Sequence, residues 1–449
     1  MKDKKTIIRI SYGKIQLKMQ QIILVLGWIT VIAGVPDATL HTSRSFRGFK
    51  VIRALPQHMA DVERIRGMMN QPIYDFWTEV ILNKPVDIMV PPTHTEEIEN
   101  NFVKEGIQFE ILIQDIQRLI ELERIPAKSV NDASEAHNMT WTEYHDLDVI
   151  YSFLDYLELN YSFVTTESIG TSFEGVDMRV AKVCKGGCGN KPSVWIDGGI
   201  HAREWISPAT VTWMLRELVE NDQDHPDLTE GLDWYFLPSH NPDGYAFSRT
   251  SNRMWRKTRS DLNSSEGCMG VDANRNWGFH WDEGGSRHDE CSDLYLGPAA
   301  FSEIENVNVR NYVMKRKGDW VFYNTIHSYS QLVLLPWGYT EDLPVDYEEQ
   351  YLYSVKAAQA LAEVHGETYE VGCIPCMLYI ASGNSVDWAY GEAGIKFSMS
   401  MELRDTGTNG FLLPPDQIIP TAEEVWAFHL TLLRDILETY SSKSFTPFL

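Results

Sequence analysis

Basic residues are scarce in this chain: 39 Lys and Arg stand against 63 Asp and Glu over 449 residues, a formal charge of -24. That shortage excludes nucleic acid as a partner, because neutralising phosphates needs clustered Lys and Arg, and it argues against stable electrostatic attachment to a membrane. Internal repeats and low-complexity tracts are also missing, so the chain is not a repeat array. The apolar run near the N-terminus, Ile22 to Ala33, is too short to span a bilayer comfortably. Preceded by a lysine-rich segment and followed by "GVPDA", it reads as the core of a signal peptide over 1–34, with Val31 and Ala33 at the cleavage site. The segment before it is long for a signal peptide, which makes Met19 a candidate start; a signal anchor is the alternative. Cysteine is sparse as well. Six is an even number, and in an oxidising compartment disulfides are the default; a zinc site at the C-x-x-C of Cys373 and Cys376, with Cys184 and Cys188, is the rival reading.

Hydrophobic residues make up 43% and aromatics 12%, ample for a packed core. Residues 46–124 alternate short strand and helix patterns, "FKVIRAL", "HMADVERIRGMM", "PVDIMVPP", "TEEIENNFVKEG", "IQFEILI" and "QDIQRLIEL", enough for a small α+β domain. The polar, helix-breaking stretch 125–139 follows as a linker, where Arg124 and Lys128 offer cleavage points to a trypsin-like protease. From 140 to 449, apolar strands such as "SVWIDGG", "LDWYFLP", "DWVFYNTIHS", "QLVLLPWG" and "IKFSMSMEL" alternate with helices expected over 207–220, 302–314, 348–365 and 421–439. That pattern predicts an α/β fold, a mainly parallel or mixed sheet covered on both faces, with its site beyond the strands' carboxyl ends. Three sequons, at Asn138, Asn160 and Asn263, fit passage through the secretory route.

The stretch "DGGIHAREWISPAT" sets His201 and Glu204 between a buried strand and a helix expected to open with Ser207 as its N-cap. The spacing alone is weak, since His94 and Glu97 repeat it at what reads as a solvated helix start. His327 ends another strand, and imidazole nitrogen with carboxylate oxygen is a donor set suited to catalytic zinc. A hydrogen-bonded core histidine is the bland reading of His327 taken singly. Arg253, Arg256, Lys257 and Arg259, with Asn274 and Arg275 further on, concentrate positive charge in an acidic protein, which suits carboxylate binding and oxyanion stabilisation. Glu402 closes an apolar strand, where a carboxylate beside a metal site is a natural general base.

The motifs "GGIHAREWI", "NPDGYAFS…NRMWRKTRS", "GVDANRNW", "IHSYSQL", "YIASGNSVDWAY" and "ELRDTG", taken in order, make the chain resemble the zinc carboxypeptidases of the pancreatic carboxypeptidase A/B type. The resemblance implies a three-layer α/β/α catalytic domain with a mixed eight-stranded sheet, preceded by an activation domain of the ferredoxin-like open-sandwich kind that covers the site until proteolysis. It makes His201, Glu204 and His327 ligands of one Zn2+, Glu402 the base that activates water and protonates the leaving amine, and Arg256 the oxyanion stabiliser. Asn274, Arg275 and Tyr379 would hold the terminal carboxylate of a peptide or protein substrate, Tyr379 on a segment able to close as a lid. Arg203, Ser328 and Tyr329 would line the upstream subsites. The floor of the terminal side-chain pocket, acidic in the B type, is Val386, with Gly338 and Ser400 beside it, so hydrophobic and aromatic termini should be preferred to Lys or Arg. Asn384 adds a polar group nearby. Cys268 and Cys291 match the family's common disulfide, whereas the other four cysteines depart from the digestive enzymes' pattern, with two local pairs or cross-pairing both open. The expectation is a secreted, monomeric metallocarboxypeptidase zymogen; the alternative is a catalytically silent relative that binds peptide C-termini.

Overall fold

The computed structural model describes residues 43–69, 71–127 and 137–442. The signal segment, Met19, Lys128 and most of the linker lie outside them. No helix among the described residues is long and apolar enough to cross a membrane.

The N-terminal elements are strands β1 (Lys50–Leu55), β2 (Asp75–Phe76), β3 (Val86–Val90) and β4 (Gln108–Ile113), with helices Met59–Met68, Thr95–Glu105 and Ile116–Glu123. The strands form one antiparallel sheet in the order β2-β3-β1-β4. One apolar cluster, including Ile52, Val62, Ile65, Val86, Ile98 and Phe102, fills the space beneath the first two helices. A second, containing Val51, Trp77, Met89, Ile113 and Ile120, continues into Met254, Tyr329 and Phe411 of the larger part, so the small sheet is packed onto the large domain through a shared apolar layer. His94 caps the second of these helices, its Nδ1 2.9 Å from the Thr93 hydroxyl, and Glu97 is exposed in the first turn, as a solvated helix start requires.

The larger part carries β5 (Val164–Thr171), β6 (Asp177–Val183), β7 (Ser193–Gly198), β8 (Asp233–Leu237), β9 (Trp320–Ser328), β10 (Leu332–Leu335), β11 (Glu370–Cys373) and β12 (Phe397–Leu403). They form one sheet in the order β11-β10-β12-β9-β7-β8-β6-β5. The four central strands β12, β9, β7 and β8 run parallel, and antiparallel pairings join β10, β6 and β5 to them. Both faces are covered, one by a large cluster that includes Ile196, Val211, Met214, Leu218, Phe322 and Phe428, the other by Trp195, Tyr235, Tyr323, Trp277 and Trp388. This is the expected α/β/α sandwich. Helix bounds differ from the sequence reading at the ends: Ile206–Glu220, Ile304–Met314, Tyr347–His365 and Ile418–Ser442.

Ser207 is not the N-cap expected of it; Trp205 is. The Ser207 hydroxyl instead donates to the Ile326 carbonyl of β9 and accepts from the Gly199 N–H, tying the helix start to two strand ends. The glycines there are required by geometry: a Cβ on Gly198 would lie 2.6 Å from Ser207 Oγ, and Gly199 has φ +69°. The strand, turn and helix are thereby drawn close enough to turn His201 and Glu204 toward β9.

Glu305, fully buried, accepts a bond from the Phe173 N–H through Oε1, while its Oε2 has no hydrogen-bond partner among the described residues. Burial pushes this carboxyl up to about 7 from 4.5. Between those values the folded state holds more protons than the unfolded one, so this contribution to stability is present at low pH and is lost as pH rises through the window. Glu305→Gln, which keeps the acceptor for Phe173, should therefore stabilise the protein by about 2 kcal/mol at pH 8 and leave it unchanged at pH 4. Urea melts at the two pH values check this; an equal effect at both would show that Glu305 ionisation plays no part.

Candidate active site

His201 and Glu204 follow β7, His327 lies near the end of β9, and Glu402 near the end of β12 in direct register with His327. Three neighbouring parallel strands therefore deliver all four side chains to one edge of the sheet. The Nδ1 atoms of His201 and His327 are 3.1 Å apart, and the Glu204 carboxylate reaches them at 2.7 Å and 3.1 Å. Donors bound tetrahedrally to zinc at about 2 Å stand about 3.3 Å from one another, so this set, two imidazoles and one carboxylate, fits the ion once its atoms spread by a few tenths of an ångström. The His201 Nε2 faces Asp272 Oδ1 at 3.1 Å, the carboxylate–histidine contact that fixes a ligating ring and its tautomer. Burial alone would raise the Glu204 carboxyl, but the two adjacent imidazoles override it and hold the group well below the ordinary range. In return, Glu204 raises His327 against the lowering effect of burial.

Asp272 was not singled out in the sequence, although it sits inside "GVDANRNW". Its second oxygen accepts from Arg256 Nε and Nη2 at 3.2 Å and 2.9 Å, so one carboxylate aims both an imidazole and a guanidinium. Arg256 Nη1 is 3.8 Å from Glu204 Oε1. Burial would lower the Arg256 guanidinium, yet Asp272 and Glu204 keep it firmly charged. Asn274 follows in a short 3-10 turn, its Nδ2 3.4 Å from His327 Nε2 and its Oδ1 accepting from Ser385 N–H. Arg275 Nη2 donates to the Tyr379 hydroxyl at 2.7 Å, bringing two of the three expected carboxylate-binding groups together. Glu402 faces the same cavity, and burial raises its carboxyl, with His327 opposing and Glu204 adding to the shift.

The cavity has a volume of about 750 Å³ and is roofed by the small N-terminal sheet. Asp75 of β2 accepts from Arg203 Nη1 at 3.1 Å, and Asp87 of β3 accepts from the Tyr329 hydroxyl at 2.6 Å while bound by Arg53 at 2.6 Å and 2.7 Å. Arg203 and Tyr329, expected in upstream subsites, are thus both engaged by N-terminal carboxylates. Ser328 lines the cavity beside them. Glu123, two residues before the linker, is buried in a bidentate pair with Arg253 at 2.6 Å and 2.7 Å, whereas its neighbour Arg124 is exposed.

Val386 and Ser400 line the cavity together with Leu334, Ile374, Met377, Ala381 and Asn384. Gly338 lies behind that wall: its N–H donates to the Asp387 carboxylate at 2.8 Å, and a Cβ there would meet Asn384 Nδ2 at 2.6 Å. The Asn384 amide is itself occupied, donating to the Ala381 carbonyl and accepting from the Asp387 N–H as helix cap. Ile374 and Met377 were not read from the sequence as pocket residues. Three disulfides form, Cys268–Cys291 and the two local pairs Cys184–Cys188 and Cys373–Cys376, which removes the zinc reading of the cysteines.

Comparison with known proteins agrees with this geometry. Residues 150–428 match the family described as zinc carboxypeptidase, and residues 52–123 match carboxypeptidase activation peptide. The chain is 47% identical to carboxypeptidase B of Astacus astacus over 304 residues, 68% of this chain and all of that one. It is 39% identical to carboxypeptidase A2 of Rattus norvegicus over 407 residues, 88% of this chain and 96% of that one. Among solved structures, thrombin activatable fibrinolysis inhibitor superposes with a TM-score of 0.80 at 31% identity, covering 88% of this chain and 100% of the other. Carboxypeptidase A from Helicoverpa armigera gives 0.81 at 28% identity, with 88% and 99% covered. A cavity that gathers a zinc-fitting triad under a small roofing domain thus recurs in a chain whose two parts match an enzyme and its propeptide: the protein belongs to the zinc carboxypeptidases, as a metallocarboxypeptidase carrying its activation peptide.

Proposed function

We propose that this protein is the secreted zymogen of an exopeptidase that removes hydrophobic and aromatic C-terminal residues, with zinc held by His201, Glu204 and His327. The observation that carries the reading is the meeting of those three donors beside Arg256 and Glu402 at adjacent strand ends. Held by these three residues, zinc would supply Lewis-acid polarisation of the scissile carbonyl and of the attacking water. Glu402 accepts the proton of the attacking water and delivers it to the leaving amine nitrogen, so the proton balance closes within one side chain. Arg256, fixed by Asp272, donates to the oxyanion as the carbonyl becomes tetrahedral. Asn274, Arg275 and Tyr379 bind the substrate's terminal carboxylate, which limits cleavage to the last peptide bond.

Relatives named A and B both match, so overall likeness does not choose a substrate. The pocket supports an apolar one: Val386 is apolar, and the adjacent Asp387 spends its oxygens on the Gly338 and Tyr339 N–H groups. Burying an unpaired ammonium there is costly. Exposure of Arg124 supports activation by a trypsin-like protease at or beyond that residue, after which loss of the N-terminal sheet frees Arg203 and Tyr329 for substrate. Three disulfides and exposed sequon residues Asn138, Asn160 and Asn263 support secretion.

After brief trypsin treatment, an acyl-dipeptide ending in Phe should be cleaved at least 100-fold faster, in kcat/KM, than one ending in Arg, a figure of about 3 kcal/mol. The same Phe substrate with an amidated C-terminus should be inert. Faster release of Arg would overturn the pocket reading, and cleavage of the amide would overturn the exopeptidase one.

A further inference from the structure

The wall of the terminal side-chain pocket is built by a device that the catalytic scheme does not use. Between β11 and Tyr379 the chain makes a four-residue helix, Ile374–Met377, bracketed by the Cys373–Cys376 disulfide. Ile374 packs with Leu332, Leu334, Ala381 and Val386, and Met377 lies against the same cluster. Both line the cavity with Val386 and Ser400. Met377 folds back over β11, where a Cβ on Gly372 would stand 2.7 Å from its Sδ and Cγ, so this close approach is built into the sequence on both sides of the turn.

A helix of one turn has no stability of its own, because it fixes several backbone torsions for a single closing hydrogen bond. Here that bond runs from Leu378 N–H to the Ile374 carbonyl at 2.8 Å. Cys376 is exposed, so packing does not hold it, while Cys373 is buried in register with Leu335 of β10. The covalent bond therefore ties the exposed half of the turn to the sheet. On the far side of Tyr379 the chain is strapped again, the Ser382 N–H and hydroxyl both donating to the Gly284 carbonyl at 3.0 Å and 2.8 Å.

We propose that the Cys373–Cys376 bridge is a positioning element for substrate selection: it holds Ile374 and Met377 as a preformed wall that grips large C-terminal side chains. This rests on the reading of the pocket as a hydrophobic one. Without the bridge the wall must be ordered at each binding event, and that cost falls on substrates whose side chains reach it. An alanine terminus does not reach the wall and is indifferent to it. Chemistry at Glu402 and Arg256 is untouched, so the effect appears in KM.

The test is the trypsin-activated Cys373→Ser/Cys376→Ser protein, assayed with acyl-dipeptides ending in Phe, Leu, Ala and Arg, beside Met377→Ala with the bridge intact. In both variants KM for Phe and Leu should rise about tenfold, with kcat for all substrates and KM for Ala within about twofold of the parent. Cys184→Ser/Cys188→Ser, which opens the other local bridge, should leave the Phe to Ala ratio unchanged. An equal loss on Phe and Ala, or an unchanged ratio in either variant, would overturn the inference; if the double variant does not fold, Cys376→Ser, which opens the bridge at its exposed end and leaves Cys373 buried, decides it by the same ratio. A parent enzyme that prefers Arg to Phe would instead overturn the pocket reading on which it rests.

Discussion

Glu402→Gln lowers kcat on a Phe-ending substrate by about a thousandfold while leaving KM within a fewfold and zinc content unchanged. Glutamine keeps the size of the side chain and the register of β12 with β9, so the strand ends that carry His327 and Glu402 stay aligned. What it removes is the only step for which the scheme needs a carboxylate: taking a proton from water and giving it to the amine. Asn274, Arg275 and Tyr379, to which the scheme gives the substrate's terminal carboxylate, make their contacts without Glu402, which is why binding should survive. Active-site titration and steady-state kinetics on the trypsin-cut variant check this. A Glu402→Gln enzyme retaining a tenth of parental kcat would remove Glu402 from the chemistry.

Val386→Asp should exchange the substrate preference. Val386 is 1% exposed, lies in the first turn of the helix Ser385–Gly391 and lines the cavity with Ser400 and Ile374. An aspartate there gains a partner only when the terminal side chain is cationic, and with Phe bound it is left desolvated and unpaired. The ratio of kcat/KM for Arg over Phe should rise by about a thousandfold, or about 4 kcal/mol, split between gain on Arg and loss on Phe. Competition between the two substrates in one vessel reads the ratio directly. If it moved less than tenfold, the pocket floor would lie elsewhere.

Much of this was legible because the chemistry sits on strongly patterned elements. β7, β9 and β12 are rich in apolar residues and buried almost throughout, so the ionisable residues near their ends, His201, His327 and Glu402, stand out against them. His240 and His429 show why a buried histidine alone decides nothing: each is held by protein hydrogen bonds, His240 to Asn306 and His429 to Asn324 and the Val425 carbonyl. β5 and β6 escaped because, toward the sheet's edge, their half-exposed residues dilute the apolar signal. β2, at two residues, is below any periodicity. Ser207 obeyed a local capping rule on paper and a tertiary demand in the fold, where β9 and Gly199 claim its hydroxyl.

The contacts that roof the site were illegible for a different reason. Asp75 with Arg203 and Asp87 with Tyr329 join residues 128 and 242 positions apart, and no local pattern encodes such partners. Asp272 is visible as a letter in a motif, but its double role in holding His201 and Arg256 arises only from the tertiary fold, which brings those residues to its two oxygens.

Stripping the trypsin-cut protein with a chelator and titrating zinc back, while following release of C-terminal Phe, shows whether one zinc on His201, Glu204 and His327 carries the reaction. The stripped protein should release nothing, and recovery should be linear and end sharply at one zinc per chain, a recovery that His327→Ala does not show. Full activity in the stripped protein, or stoichiometric zinc binding by His327→Ala with parental activity, would contradict that role.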